Sequence, residues 1–470
     1  MSEAIAEMIL PGTYIEVRAE GLIGVGGIAT GNLGVVGTAS RGPVNQVVLL
    51  GSYQEAVDTF GTYDAWSAAA GATPLTLTRT LEQVFRGGGS TVYAVRVANL
   101  GAQTMAKTTW TLKAADDSTD LCQLVALSAG TWANAVEVSV SGDTGGPQTL
   151  ELKLGRYRER YEGANAGELA DALATSRLVT VEGLDAGERG EAVKTGAPAR
   201  ADGGPDGAGA TKVEIAAGLA LLAAEPVNLV VAGGMDAFAI GGTVLAHLEA
   251  TENDGRERLA VLGASSDVPA TVASDDASVV GSPRAILVAP GVVATDAATG
   301  KDVDLPAPYA AALVAGRLAT LAPHVSLTNK AVAADSLTRL YTRAEQKQLL
   351  GNRVLVLHRN LGYRVLKGIT TDDGPFRQIS VRRIVDFAKA GVRIGSNPYI
   401  GRLNNSRVRA ALKATLDGFL SGMVLDEMLI GYSLDVSATR AQEIAGVAVV
   451  TMTLQPTFSI DFVKVIMNLG

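Results

Sequence analysis

Residues 446–468, GVAVVTMTLQPTFSIDFVKVIMN, constrain the fold more than any other stretch of this chain. They read as two β-strands broken at Gln455-Pro456. In the second strand Phe458, Ile460 and Phe462 alternate with Ser459 and Asp461, and Val463 and Val465 continue the apolar content. This is the period of a strand with one face buried. Two apolar strands paired only with each other are marginal, so both need a sheet supplied from elsewhere. Residues 12–18 (GTYIEVR) form a similar lone strand after a Pro-Gly turn, with Thr13, Tyr14, Ile15 and Val17 in it. Two accounts fit: the terminal strands close the chain's own central sheet, or they augment the sheets of neighbouring copies.

At 470 residues the chain should hold roughly three domains. Hydrophobic residues are 47% and charged residues 19%, enough apolar content for large cores and too much for wholesale disorder. No run approaches the ~18 apolar residues of a membrane span. Glu3 and Glu7 near the start leave no basic n-region, so no secretory signal is expected. The single cysteine, Cys122, excludes an internal disulfide and suits a reducing compartment. With three histidines besides, a conventional zinc site lacks ligands. A net charge of −8 argues against a nucleic-acid coat protein.

Along the chain, residues 28–38 read as a buried strand and Ser52 to Glu55 as a capping box opening a helix. A second helix over 75–85 stops at Gly87-Gly88-Gly89 and leads into a β-branched strand, residues 91–97. Residues 100–209 change character: rich in Asp, Gly and Thr, with short alternating pieces, they suggest an exposed β-rich insertion. It ends in TGAPARADGGPDGAGA (195–210), which reads as a loop. Residues 211–323 alternate helices with strands at 227–231, 259–262 and 285–289. This spacing implies a mostly parallel sheet covered on both faces. Beyond 325 the sequence suggests a helix over 343–350, strands over 354–358 and 361–370, and a helix over 380–390 carrying Arg382, Arg383 and Lys389. The clearest helix is 406–423. Val408, Leu412, Thr415, Leu416, Phe419 and Met423 share one face, Lys413 and Asp417 lie opposite, and Ser406 is positioned to cap it.

Catalytic signatures are missing. There is no P-loop, no H-E-x-x-H and no calcium loop. Gly24 to Ala29 matches G-x-G-x-x-A, but a strand follows where a phosphate-binding helix would be needed. Gly263 to Asp267 (GASSD) comes nearest to a nucleophile elbow and lacks its closing glycine. His247, His324 and His358 each read as structural or surface residues rather than bases. Arg402, Arg407, Arg409 and Lys413 stand out in a net acidic chain. They fit a solvated helix face or docking to an acidic partner protein. No interleaved aromatic residues support nucleic acid.

Several motifs together resemble the tail sheath proteins of contractile phage tails and related injection systems. Residues 9–16 (ILPGTYIE) are similar to a PG-x-Y-x-E opening, and residues 33–44 (LGVVGTASRGPV) with 52–61 to the segment that follows it. Residues 85–97 (FRGGGSTVYAVRV) resemble a Gly-rich turn before a V-Y-x-V-R-V strand. Residues 130–134 (GTWAN) resemble G-x-W-G-N with Ala133 in place of the glycine, and SVRRI at 380–384 resembles N-V-R-R-L.

The resemblance implies a structural, non-catalytic subunit without cofactors. It would polymerise as rings or helical strands around an inner tail tube protein, with baseplate and terminator proteins at the ends. Contraction would drive the tube through a target envelope. Such a subunit belongs to a virion tail or injection particle assembled in the bacterial cytoplasm, with no direct membrane insertion and no nucleic acid bound.

The implied organisation is α/β and α+β multidomain. An arm at 1–20 precedes the first part of an α/β domain at 21–99. The β-rich insertion occupies 100–210, the α/β sheath domain 211–324, an α+β C-terminal domain 325–445, and a C-terminal strand arm 446–470. Both arms would add strands to neighbouring subunits. The helix over 406–423 would face the tube through Arg407, Arg409 and Lys413. An α/β hydrolase-like enzyme, or a non-contractile shell protein, would share the layered texture.

Overall fold

The computed structural model describes residues 27–69, 72, 74–99, 106–143 and 146–467. The arm residues Thr13, Tyr14, Ile15 and Val17 lie outside them. An eight-stranded sheet runs in the order Tyr363–Val365, Val354–Arg359, Ala285–Ala289, Leu259–Gly263, Leu229–Ala232, Leu33–Gly37, Val92–Arg96, Val47–Leu50. The six inner strands are parallel and the two edge strands antiparallel. Inner strands such as Ala285–Ala289 (AILVA) are buried throughout, as a sheet covered on both faces requires.

One face packs under the helices Tyr53–Phe60, Leu77–Gly87 and Ala307–Ala319, through Phe60, Leu81, Val84 and Leu313. The other packs under Lys212–Leu222, Ala237–Asn253 and Arg343–Gly351, through Ile215, Leu219, Val244 and Leu349. Helices Leu77–Gly87 and Ala307–Ala319 touch backbone to backbone. A Cβ on Gly87 would meet the Leu313 carbonyl oxygen at 2.3 Å, and one on Gly316 the Val84 carbonyl oxygen at 2.1 Å.

Between Val92–Arg96 and Lys212–Leu222 the chain builds two small antiparallel sheets. One is ordered Ala199–Ala201, Thr109–Lys113, Asp120–Ala126, Val179–Glu182; the other Glu137–Gly142, Gln148–Leu154, Tyr157–Gly163. With helix Ala166–Leu173 they enclose a separate core of Trp110, Leu124, Val138, Leu150 and Leu169. Cys122 is buried there, and burial pushes its thiol up to about 11.

The C-terminal part is built on helices Ile379–Ser396 and Ser406–Leu425 and a hairpin of Leu429–Ser437 against Val449–Pro456, with the short helix Arg440–Ile444 between its strands.

Five expectations are corrected. The segment 195–210 is not all loop, because Ala199–Ala201 completes a sheet by pairing with Thr109–Lys113. A boundary at 324/325 cuts the large sheet, whose last two strands are Val354–Arg359 and Tyr363–Val365. The strand expected over 361–370 is only Tyr363–Val365. Asn405, not Ser406, caps helix Ser406–Leu425, accepting from the Val408 N–H. The two strands read into 446–468 do not form a pair: Val449–Pro456 pairs with Leu429–Ser437, and residues 457–467 have no ladder partner among the described residues.

Candidate assembly surfaces

The hairpin is a two-stranded sheet, so each strand has an outer edge without a ladder partner among the described residues. One hairpin face packs Tyr432, Leu434, Val436, Val450 and Leu454 on the C-terminal helices, where Ile384, Leu416, Leu420 and Met423 form the core. An isolated two-stranded sheet is marginal, and here the helices supply its support. Ile430 projects from it into solvent.

The segment after the hairpin reverses the exposure expected from its alternation. Its polar side chains hold it to the body. The carboxylate of Asp461 accepts from Thr328 Oγ1 (3.2 Å) and Gln378 Nε2 (3.3 Å) and pairs with Lys367 Nζ at 3.1 Å. The Ser459 N–H donates to Gln378 Oε1 and the Thr457 N–H to the Met428 carbonyl. The apolar residues point away: Phe458, Ile460, Phe462, Val463 and Val465 are all exposed, Ile460, Phe462 and Val463 by more than 80%. The Lys367 ammonium lies 4.9 Å from the Phe462 ring centroid.

Helix Ser406–Leu425 buries Leu412, Thr415, Leu416, Leu420 and Met423. Its basic residues are less available than the sequence suggests. Arg409 is half-buried, pairs with Glu443 at 3.0 Å and donates to Asn404 Oδ1 at 2.9 Å. Lys413 stands 3.6 Å from Asp435 on the hairpin, both exposed. Arg407 is exposed at the first turn. The carboxylates of this chain's own hairpin thus offset part of the charge on that face.

The motifs singled out in the sequence converge on two buried arginines. Arg96 donates to the carbonyls of Gly42 (2.9 Å), Ala129 (3.0 Å) and Asp206 (3.2 Å). Beside it the Asp206 carboxylate accepts from the Thr131 N–H and hydroxyl, and Asn134 Oδ1 accepts from Thr108 and the Gly203 N–H. These contacts tie together the two chain segments that lead into and out of the small sheets. Arg383 donates to the carbonyls of Thr30, Leu321 and Ala322, which fastens helix Ile379–Ser396 to the large-sheet body. Its neighbour Arg382 stacks on Phe376 and pairs with Asp386. Burial lowers Arg96 and Arg383 to about 10, which leaves both charged near neutrality.

Two family descriptions match consecutive stretches of the chain. "Phage tail sheath protein central domain" covers residues 208–371, and "Phage tail sheath C-terminal domain" covers residues 371–470. The chain belongs to the phage tail sheath family. The boundary at 371 falls just past the last strand of the large sheet, where the helical C-terminal part begins.

Over 213 residues this sheath-family chain is 30% identical to the tail sheath protein of Bacillus phage SP01; the match covers 43% of this chain and 37% of that protein's length. Its fold is similar to the sheath tail protein of Desulfitobacterium hafniense (TM-score 0.65, 18% identity, 95% of this chain and 100% of that one). It is also similar to a chain of the anti-feeding prophage helical sheath in contracted state (TM-score 0.55, 15% identity, 99% of each chain). Both structural likenesses are of fold, a mixed α/β multidomain architecture.

The sheath subunit places its enzyme-like residues apart. Ser265 Oγ donates to Asp276, 2.9 Å away, with no histidine bonded to either among the described residues. His247 faces the Arg258 guanidinium at 3.2 Å; burial and that charge hold its imidazole down at about 4. Among the described residues no cluster of three or more His, Cys, Asp or Glu could hold a metal, and no helix is long and apolar enough to cross a membrane. Sequence reasoning missed the strand Leu429–Ser437, although Tyr432, Leu434 and Val436 alternate with Ser433, Asp435 and Ser437 as plainly as the tail residues do.

Proposed function

We propose that this chain is the structural subunit of a contractile tail sheath. It polymerises helically around an inner tail tube, and its contraction drives that tube through a target envelope. The observation that carries this reading is the pairing of an exposed apolar tail, Phe458 to Val465, with a hairpin whose two outer edges have no ladder partner among the described residues. A row of unpaired backbone groups next to an apolar strand-forming segment is what edge-to-edge association between copies needs. The residues Thr13, Tyr14, Ile15 and Val17 are proposed to supply a second augmenting strand. Arg407 and Lys413, with Arg409 in part, are proposed to face acidic groups of the tube. Exposed ion pairs contribute only ~0–1 kcal/mol each, so many weak contacts would hold an extended state yet release together. The subunit lacks the P-loop a nucleotide-driven motor would need, so the work of contraction is proposed to come from energy stored at assembly.

Negative-stain electron microscopy of the purified protein, alone and with its tube protein, tests the reading. Hollow striated tubes of uniform diameter are expected. Discrete oligomers at high concentration under both conditions would favour an enzyme, and flat or closed lattices a shell protein.

A further inference from the structure

We propose that Asp461 is the fixed point of the C-terminal arm. Held by Lys367, Gln378 and Thr328 of its own subunit, it turns the apolar side chains outward toward a second copy of this chain, and only residues beyond it leave the subunit. The inference rests on the sheath reading for the identity of that second copy.

The geometry is specific. Asp461 has a side chain only 9% exposed, and its carboxylate collects four donors: Thr328 Oγ1 and Ser459 Oγ on one oxygen, Gln378 Nε2 and Lys367 Nζ on the other. A carboxylate this dry is costly unless paired and hydrogen-bonded, and here it is both. Its partners are themselves held. Thr328 Oγ1 accepts from the Gly368 N–H, and the backbone of Gln378 bridges to Ile369. The anchor therefore stands on the connection between the large sheet and helix Ile379–Ser396, not on a mobile side chain.

Side chains alternate along an extended chain; the Asp461 carboxylate is held inward and the Ser459 hydroxyl lies on it at 3.4 Å, so Phe458 and Ile460 are turned outward. A tail released from the body would be free to bury those residues against its own subunit. The anchored one presents them. A second copy is the partner the structure supports, because every copy carries hairpin edges, without a ladder partner among the described residues, that such a strand would extend. Anchoring also limits reach: each residue beyond Asp461 adds at most about 3.3–3.6 Å.

The test uses the full chain, with hydrogen exchange of residues 457–461 in unassembled protein and the concentration needed for tube formation. Asp461→Ala should keep the subunit folded, speed exchange at Thr457 and Ser459 at least tenfold, and raise the assembly concentration at least tenfold. Lys367→Asp should do the same. Combining Lys367→Asp with Asp461→Lys should restore both readouts, which a merely structural loss at either site would not allow. Unchanged exchange and assembly in Asp461→Ala would overturn the proposal. Removal of the residues after Asp461 isolates the underlying reading: normal tubes from that variant would sink the arm's role in assembly, while exchange at 457–461 still reports the anchor.

Discussion

Arg96 donates to the carbonyls of Gly42, within the 33–44 motif, of Ala129, just before the 130–134 motif, and of Asp206, in the segment read as a loop. The guanidinium is fully buried, and desolvation lowers it to about 10 while the Asp206 carboxylate opposes that fall, so it stays charged near neutrality with three carbonyl dipoles facing it. Arg96→Met keeps most of the volume and removes every donor. Each orphaned carbonyl costs about 1–3 kcal/mol where water cannot reach it, so a loss of about 3 kcal/mol or more is expected. Urea unfolding and proteolysis of the segments near 130 and 206 would measure it. Arg96→Lys should recover little, because a compact ammonium lacks the planar fork that spans three acceptors. A change below about 0.5 kcal/mol in Arg96→Met, the level of an ordinary surface substitution, would show that the three segments meet without it. The V-Y-x-V-R-V resemblance was legible in the sequence, but the role of its arginine was not, because the acceptors are backbone atoms, which any residue carries.

Helix Ser406–Leu425 shows where periodicity suffices and where it stops. Spacing at 100° per residue picked out Leu412, Leu416 and Met423, and these are buried. The cap shifted by one residue, since Asn405 and Ser406 both have a side-chain oxygen and only the turn geometry decides between them. The larger gap concerns Arg409. Its partner Glu443 lies on the short helix Arg440–Ile444 between the hairpin strands, a placement that no local pattern reveals. Arg409→Glu should therefore set two half-buried carboxylates against each other and cost about 1 kcal/mol or more of subunit stability. Arg407→Glu with Lys413→Glu involves exposed side chains, so stability should hold within about 1 kcal/mol while co-assembly with the tube protein falls. Thermal melting and tube co-sedimentation separate the two effects. Unimpaired co-sedimentation of the Arg407/Lys413 double variant would place the tube contact on another surface.

The C-terminal helices are joined to the large-sheet body chiefly by charge, since Ile379 is the one residue of helix Ile379–Ser396 that the large-sheet core includes among the described residues. Helix Ile379–Ser396 turns Arg382, Asp386, Lys389 and Arg393, about one per turn, toward Glu252, Glu257 and Arg284 of the large-sheet body. Arg284 is the centre. It is 4% exposed, and it bonds Glu252 at 2.5 Å and Asp386 at 2.9 Å. Lys389 joins Glu252 and Glu257, and Arg393 pairs with Glu257. Burying such pairs adds little net stability, but breaking one partner leaves an uncompensated charge, so the network fixes a single orientation. Its titration then reports on the joint. The hydrogen bond from Arg284 holds the Glu252 carboxyl down at about 2, against an ordinary 4.5. A depressed carboxyl stabilises the fold fully above 4.5, and that contribution fades as pH falls toward 2. His247 acts in the same direction at higher pH. Burial and Arg258 keep it from protonating until about 4, whereas the unfolded chain takes up that proton near 6.5. Stability should therefore decline in two steps on acidification, from 6.5 to 4 and from 4.5 to 2. His247→Gln should flatten the first and Glu252→Gln the second in urea titrations across that range. A wild-type protein as stable at pH 4.5 as at pH 7 would contradict the first step. The second step should coincide with faster hydrogen exchange in helix Ile379–Ser396, because protonating Glu252 leaves Arg284 and Lys389 short of an anion where the two bodies meet.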